Sequence, residues 1–193
     1  MSPASVLELF RQRGALLEGH FVLSSGLHST GYLQCALILQ HPGDAEALGR
    51  ALGEKVKAAG HAVDLVLSPA MGGLIIGHEM GRALGVPAIF AERVDGTLTL
   101  RRGFAIEPGT RVLIVEDVVT TGKSTMETVR VAEERGATVV GAASIINRGG
   151  GDALAVPYVS LADARFPTYA PDALPDDLRD VPVVKPGSRP APQ

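Results

Sequence analysis

Apolar runs and amphipathic stretches alternate through the central part of the chain. Near-continuous apolar runs predict five strands, at residues 63–68, 86–92, 111–117, 138–147 and 156–162. Helical spacing of apolar residues predicts helices at 74–84 and 123–135. Strands that are apolar on both faces and alternate with helices are typical of a parallel sheet covered on both sides. The pattern therefore predicts an α/β fold with an open, mostly parallel, twisted sheet flanked by helices.

The two ends of the chain differ from its central part in hydrophobic pattern and in proline content. Residues 4–13 predict a helix, and residues 16–34 alternate apolar and polar positions around glycines, which predicts short strands. We expect about residues 1–40 to form a small strand-rich lobe of a single domain that spans residues 1–165. Seven of the 13 prolines lie in residues 167–192. We therefore expect residues 166–193 to be a loosely ordered, Pro-rich C-terminal tail.

Composition narrows the classes of function. The chain has 193 residues, a formal net charge of -3 and no tryptophan, so it offers neither the basic face nor the stacking platform that nucleic acid would require. Cys35 is the single cysteine, which excludes an intramolecular disulfide and favours a cytoplasmic location. No apolar run reaches the ~18 residues of a membrane span. We expect no nucleic-acid partner and no membrane partner.

The most informative segment is VLIVEDVVTTGKST, at residues 112–125. An apolar strand leads into two adjacent carboxylates, Glu116 and Asp117, and a Thr/Gly/Ser turn then opens a helix. A helix N-terminus with exposed N–H groups favours phosphate, whereas ionised carboxylates suit sugar hydroxyls. The segment is not a Walker A motif, which requires a glycine five residues before Gly122, where this chain has Asp117.

This segment resembles the 5-phosphoribosyl 1-diphosphate (PRPP) signature of type I phosphoribosyltransferases. The resemblance implies that family's fold, with the acids on the ribose hydroxyls and the following turn on the 5-phosphate. The PRPP-binding residues that it implies are Glu116, Asp117, Val118, Val119, Thr120, Thr121, Gly122, Lys123 and Ser124.

Two further segments indicate which base is used. The sequence FVLSSGLHSTGYLQ, at residues 21–34, resembles the base-covering segment of orotate phosphoribosyltransferases and implies that Ser25 and Gly26 lie near orotate. Arg148 follows the strand at 138–147, and an arginine is shaped for bidentate recognition of a carboxylate such as that of orotate. In the family an arginine at this spacing binds orotate together with the residue that matches Thr120.

A second glycine-containing turn follows the strand at 63–68 and allows close approach to an anion. It is similar to the family's pyrophosphate loop, which implies that pyrophosphate is bound by Ala70, Met71, Gly72 and Gly73. Many family members have lysine at the positions of Ser24 and Gly72. We expect arginines from another segment to replace these missing charges.

That segment is residues 90–104, in which Arg93, Arg101 and Arg102 flank a predicted mobile turn at Asp95 and Gly96. The family closes a basic loop of one subunit over its neighbour's active site, which implies a homodimer and a shared lid. We expect Arg93 to bind pyrophosphate, and we expect Arg93 and Arg102 to act with Asp117 in catalysis.

The resemblance implies transfer of the 5-phosphoribosyl group from PRPP to orotate, giving orotidine 5′-monophosphate and pyrophosphate on the route to UMP. Mg²⁺ would be the cofactor, bound through the substrate rather than by direct protein ligands. Two alternatives stay open. A phosphoribosyltransferase for a purine or another base would share the segment at 112–125, and a PRPP-sensing regulator would bind PRPP without chemistry.

Overall fold

The computed structural model describes residues 1–23 and 25–185. The helices α1 to α6 are, in order, Pro3–Gln12, Ala36–Leu39, Pro42–Ala58, Gly73–Leu84, Lys123–Glu133 and Asp176–Arg179. The strands β1 to β10 are Leu16–Val22, His28–Leu33, Leu65–Pro69, Ala88–Val94, Thr97–Leu100, Arg111–Val119, Thr138–Asn147, Tyr158–Asp163, Thr168–Tyr169 and Val183–Val184. A short 3₁₀ turn lies at Gly150–Ala153.

The main sheet has six strands in the order β5-β4-β3-β6-β7-β8. All neighbours are parallel except the edge pair of β4 and β5. Helices cover both faces, so the predicted α/β fold with a mostly parallel sheet is confirmed. The strand order changes direction at β3 and β6, and ligands in such sheets bind beyond the carboxyl ends of the strands at this point.

Alternate residues of the central strands belong to two separate hydrophobic cores, one on each face of the sheet. Val66 and Leu113 face one side, where α1, α3 and α4 pack. Leu67 and Ile114 face the other side, where they pack with α5 and with Ala91 and Leu98 of the same sheet. Because successive strand residues point to opposite faces, a strand between two helical layers is apolar throughout, which explains the continuous apolar runs in the sequence.

The second sheet forms the predicted N-terminal lobe but includes residues from the far end of the chain. Its strand order is β10-β1-β2-β9. β10 pairs with β1 in parallel, β9 pairs antiparallel with β2, and Leu178 of α6 is buried. Residues 166–185 therefore differ from the loosely ordered tail that we expected, since they complete the lobe. Residues 186–193 of that predicted tail lie outside the described residues.

The basic segment at residues 90–104 contains the hairpin of β4 and β5. Val94 pairs with Thr97, so the connection is a two-residue turn. Its residues Asp95 and Gly96 both have positive φ, of 48° and 84°. This is the geometry of a type I′ turn, for which Asp-Gly is a preferred sequence. The turn expected at Asp95 and Gly96 is thus the tip of a tight hairpin at the sheet edge, and its mobility stays a prediction.

Candidate active site

Two acids lie side by side at the carboxyl end of β6. Glu116 is buried, and its Oε1 accepts hydrogen bonds from the hydroxyls of Ser124 (2.8 Å) and Thr125 (2.9 Å) at the start of α5. Asp117 Oδ1 accepts a hydrogen bond from the Val118 N–H at 2.9 Å. Neither acid forms an ion pair with a basic side chain in the part of the chain that the structure describes. The two carboxylates are thus held in place without a compensating positive charge.

Burial shifts both acids towards the protonated form. It raises the pKa of Glu116 to about 7, with the hydrogen bonds from Ser124 and Thr125 opposing the rise and the charge of Asp117 adding to it. Burial also raises the pKa of Asp117, against the opposing Val118 hydrogen bond. Ionised acids in such a place are costly unless a ligand or cation shares the site. Carboxylates with shifted pKa values near the carboxyl end of a central strand are therefore candidates for ligand contacts.

The turn after β6 presents backbone donors. Gly122 adopts a left-handed conformation with φ 74°, and α5 begins at the next residue without a side-chain cap. A Cβ atom on Gly122 would lie 2.6 Å from Leu154 Cδ2 and 3.2 Å from the Gly150 carbonyl oxygen, so both the backbone conformation and the limited space favour glycine there. Thr120, Thr121 and Lys123 are exposed around this turn. The arrangement suits a phosphate at the start of a helix.

The glycine turn at residues 149–151 packs directly against the phosphate turn at residues 120–124. A Cβ atom on Gly150 would lie 2.5 Å from the Thr120 carbonyl oxygen, so the two turns are in close contact. Asn147 Oδ1 accepts hydrogen bonds from the N–H groups of Gly149 (2.8 Å) and Gly151 (3.1 Å). Sequence reasoning missed Asn147, although a polar residue at the end of an apolar strand was the available signal.

The predicted pyrophosphate loop reaches the same place. It follows β3, beside β6, and a Cβ atom on Gly72 would lie 2.7 Å from Asp117 Oδ1. The chain therefore has no room at Gly72 for the lysine that many family members have, unless Asp117 moves. Met71 is 79% exposed, while Gly73 is buried at the start of α4. The structure thus brings Ala70, Met71, Gly72 and Gly73 to one side of the acids.

Arg148 lies at the carboxyl end of β7, next to the phosphate turn. Its N–H donates to the Val119 carbonyl at 2.8 Å, which fixes its backbone to the end of β6. Burial lowers the pKa of its guanidinium, with Tyr32 opposing the shift. Among the described residues, no carboxylate pairs with this guanidinium, which packs over the Phe166 ring. A half-buried arginine without an acid is a candidate site for an anionic ligand.

The base-covering segment contributes the β1–β2 turn. Ser25 and Gly26 are exposed there, and the Gly26 N–H donates to the Leu23 carbonyl at 2.9 Å. Ser24, where many family members have lysine, lies outside the described residues. The buried Ser29 hydroxyl donates to the Gly31 carbonyl at 3.0 Å, so it stabilises the strand rather than facing a ligand.

Two of the three predicted lid arginines, Arg93 and Arg102, form ion pairs within the chain. Arg93 contacts Glu127 of α5 at 2.5 Å. Arg102 forms a two-point contact with Glu92 at 2.7 and 2.8 Å and packs 5.7 Å above the Phe90 ring. The structure therefore does not bring these two guanidiniums to the acids of β6. Both arginine side chains are more than a third exposed, and exposed ion pairs of this kind contribute at most about 1 kcal/mol to stability.

Comparison with known proteins agrees with this geometry. Residues 36–160 match the family model described as "Phosphoribosyl transferase domain". Orotate phosphoribosyltransferase of Erythrobacter litoralis is 53% identical, covering 98% of this chain and 99% of its own. That of Novosphingobium aromaticivorans is also 53% identical, over 97% of both chains. The solved orotate phosphoribosyltransferase of Aeropyrum pernix superposes with a TM-score of 0.66 at 29% identity, over 82% of this chain and 93% of that one.

The family match covers the sheet, both anion-binding turns and the helices between them, and the similarity to the curated relatives extends through the N-terminal lobe. The chain therefore belongs to the type I phosphoribosyltransferases and, within them, to the orotate phosphoribosyltransferases.

Proposed function

We propose that the protein transfers the 5-phosphoribosyl group of PRPP to orotate. The bond from the ribose C1 carbon to pyrophosphate breaks, the bond from that carbon to orotate N1 forms, and the products are orotidine 5′-monophosphate and pyrophosphate. This reaction belongs to pyrimidine biosynthesis. The observation that carries the proposal is the Arg148 guanidinium, which lies beside the phosphate turn without a described carboxylate partner.

The charge of the base distinguishes orotate from the alternative substrates. Orotate has a carboxylate, and a partly buried arginine binds a carboxylate through two parallel hydrogen bonds. A purine base has no such anion and would leave the guanidinium uncompensated. Thr120 adds a hydroxyl on the adjacent turn, and the exposed Ser25 and Gly26 of the lobe would cover the ring.

The remaining residues would hold PRPP. The N–H groups of the turn at residues 120–124 would bind the 5-phosphate, and Glu116 and Asp117 would accept hydrogen bonds from the ribose hydroxyls. The loop at residues 70–73 would bind pyrophosphate. Charge that develops on the ribose in the transition state would be stabilised by the carboxylates, so the protein acts mainly by positioning and electrostatics.

Mg²⁺ fits this arrangement. Glu116 and Asp117 are adjacent and lack a basic partner among the described residues, so a cation bound to PRPP would compensate their charge. Mg²⁺ keeps several of its waters and needs few protein ligands. When bound, it would neutralise the diphosphate and make it a better leaving group.

A homodimer with a shared lid is the second part of the proposal. Met71 of the pyrophosphate loop and Ile75 of α4 are exposed apolar residues four positions apart, and we propose that the second subunit covers them. The paired Arg93 and Arg102 would then serve a neighbour's site after their surface ion pairs exchange. Arg101 is exposed on the same hairpin.

Mixing two inactive proteins tests the shared lid. One is Arg148→Ala, and the other is the double variant Arg101→Ala with Arg102→Ala. Exchange of subunits would restore up to about a quarter of wild-type activity, because half of the dimers would contain one complete site. Mixtures that stay inactive although the subunits exchange would contradict a lid in trans. Full activity of the double variant alone would contradict a role for these arginines.

We also propose a cytoplasmic location, on the ground of the single free Cys35, which is buried. None of the helices in residues 1–23 and 25–185 is long and apolar enough to cross a membrane.

The direct test follows the ultraviolet absorbance of orotate in the presence of purified protein, PRPP and Mg²⁺. We expect PRPP-dependent loss of orotate that falls sharply in Arg148→Ala and in Asp117→Asn. Turnover of adenine or hypoxanthine in place of orotate would contradict the proposed base. Binding of PRPP without turnover of any base would favour a regulator.

A further inference from the structure

The aromatic ring of Phe166 lies under the guanidinium of Arg148. Arg148 Cζ is 5.4 Å from the centroid of the ring, within the distance at which a cation is attracted by a ring face. Phe166 is half buried and packs against the main hydrophobic core, so the ring is anchored. It follows β8 in the segment that leads into β9 and the lobe.

Gly31 of β2 makes this position of the ring possible. A Cβ atom on Gly31 would lie 2.3 Å from Phe166 Cδ1, 2.5 Å from Cε1 and 2.6 Å from Cγ. Gly31 is a paired strand residue opposite Glu18 and is not among the glycines with positive φ. Glycine is therefore required here for space and not for backbone conformation. The two residues are 135 positions apart in sequence but fill one volume.

From these contacts we propose that Phe166 positions Arg148 for the base, and that Gly31 is the complementary space that admits the ring. This inference rests on the proposed function, in which Arg148 binds the carboxylate of orotate. Phe166 is a positioning residue, because it acts through the guanidinium. The ring also connects the base-binding arginine to the lobe that covers the base.

The physical reason is that arginine is a long side chain with several rotatable bonds. Holding it in one geometry costs side-chain entropy, which a ligand must otherwise supply on binding. An anchored ring beneath the guanidinium confines the guanidinium plane before orotate arrives, and this pre-organisation lowers the cost of binding. Because PRPP contacts the β6 turn instead, its binding should depend little on the ring.

Kinetics with one substrate varied at a time test the proposal. Phe166→Leu removes the ring but keeps an apolar side chain. We expect the KM for orotate to rise about tenfold, with the KM for PRPP nearly unchanged. Phe166→Tyr keeps the ring and should restore an orotate KM close to that of the wild type. Thermal unfolding of each variant checks that the fold is retained.

A double-variant cycle adds a test of the Gly31 contact. Gly31→Ala alone should displace the ring and raise the orotate KM, whereas the same change in the Phe166→Leu background should add little, because the clash is then reduced. Equal rises in both KM values, or an unchanged orotate KM in a folded Phe166→Leu protein that still uses orotate, would overturn the positioning role. Wild-type protein that does not use orotate would instead overturn the proposed function, and this inference with it.

Discussion

Glu116 should make the ligand-free protein less stable as pH rises towards neutrality. Burial raises its pKa from the ordinary 4.5 to about 7, so the folded protein binds a proton on Glu116 that the unfolded chain releases. Stability from this group is fully present below the unfolded pKa of 4.5 and is lost as pH rises through the folded pKa. Since one pH unit between the two pKa values is worth about 1.4 kcal/mol, the total loss is about 3 kcal/mol.

The experiment compares Glu116→Gln with the wild type. Glutamine cannot ionise, and its amide oxygen can still accept the hydrogen bonds of Ser124 and Thr125. Between pH 5 and 7.5 the wild type should lose about 2 kcal/mol of unfolding free energy more than the variant. Asp117, whose pKa is also raised, contributes a slope of the same sign that remains in both proteins.

Urea unfolding of both proteins, without PRPP or Mg²⁺, measures this difference at a series of pH values. Glu133→Gln is the matched control, because Glu133 is an exposed glutamate at the end of α5 and its replacement removes the same charge. Parallel stability curves for wild type and Glu116→Gln would refute the reasoning, since Glu116 would then titrate alike in the folded and unfolded chains.

Two further predictions concern glycines of the anion-binding turns. Gly122→Ala combines a left-handed backbone with a Cβ atom 2.6 Å from Leu154, so thermal unfolding should show a larger loss of stability than Gly109→Ala. Gly109 has positive φ but open space, and that control should cost only about 1–2 kcal/mol. Gly72→Ala should push on the Asp117 carboxylate and lower kcat/KM for PRPP by about tenfold or more. An unchanged value would show that Asp117 yields without loss.

Local sequence was enough to predict the centre of the site. Glu116 and Asp117 interrupt an apolar strand near its carboxyl end, and Gly122 directly precedes the following helix. Together these signals specify the carboxyl end of a strand in a parallel sheet. Arg148 could be placed there as well, because β7 neighbours β6 in parallel and their carboxyl ends meet. These features depend on contacts between consecutive elements, which hydrophobic patterning specifies well.

The C-terminal segment could not be predicted in this way. Its prolines suggested disorder, yet Pro175 precedes the first turn of α6 and Pro182 precedes β10, where a missing N–H is tolerated. The two residues of β10 pair with a strand more than 150 positions earlier. The contact of Phe166 with Gly31 could not be predicted either, because the two residues are far apart in sequence. No local pattern marks a glycine that is needed only for space.

The hairpin at Asp95 and Gly96 could have been predicted but was not. An Asp-Gly pair between alternating residues is a strong hairpin signal, and the flanking arginines drew the interpretation towards a mobile lid. In the structure, Arg93 and Arg102 form ion pairs on the same chain. Their partners, Glu127 and Glu92, are neighbours only in the folded chain, and the periodicity of the sequence does not reveal such pairs.

We propose that Arg148 selects orotate over other bases by binding the carboxylate of orotate. The most direct measurement is kcat/KM for orotate and for uracil, which has the same ring without the carboxylate, in wild type and in Arg148→Ala. We predict that the wild type prefers orotate by about a hundredfold or more, and that Arg148→Ala loses most of this preference by losing orotate turnover. An Arg148→Ala protein that keeps the wild-type preference for orotate would contradict the account.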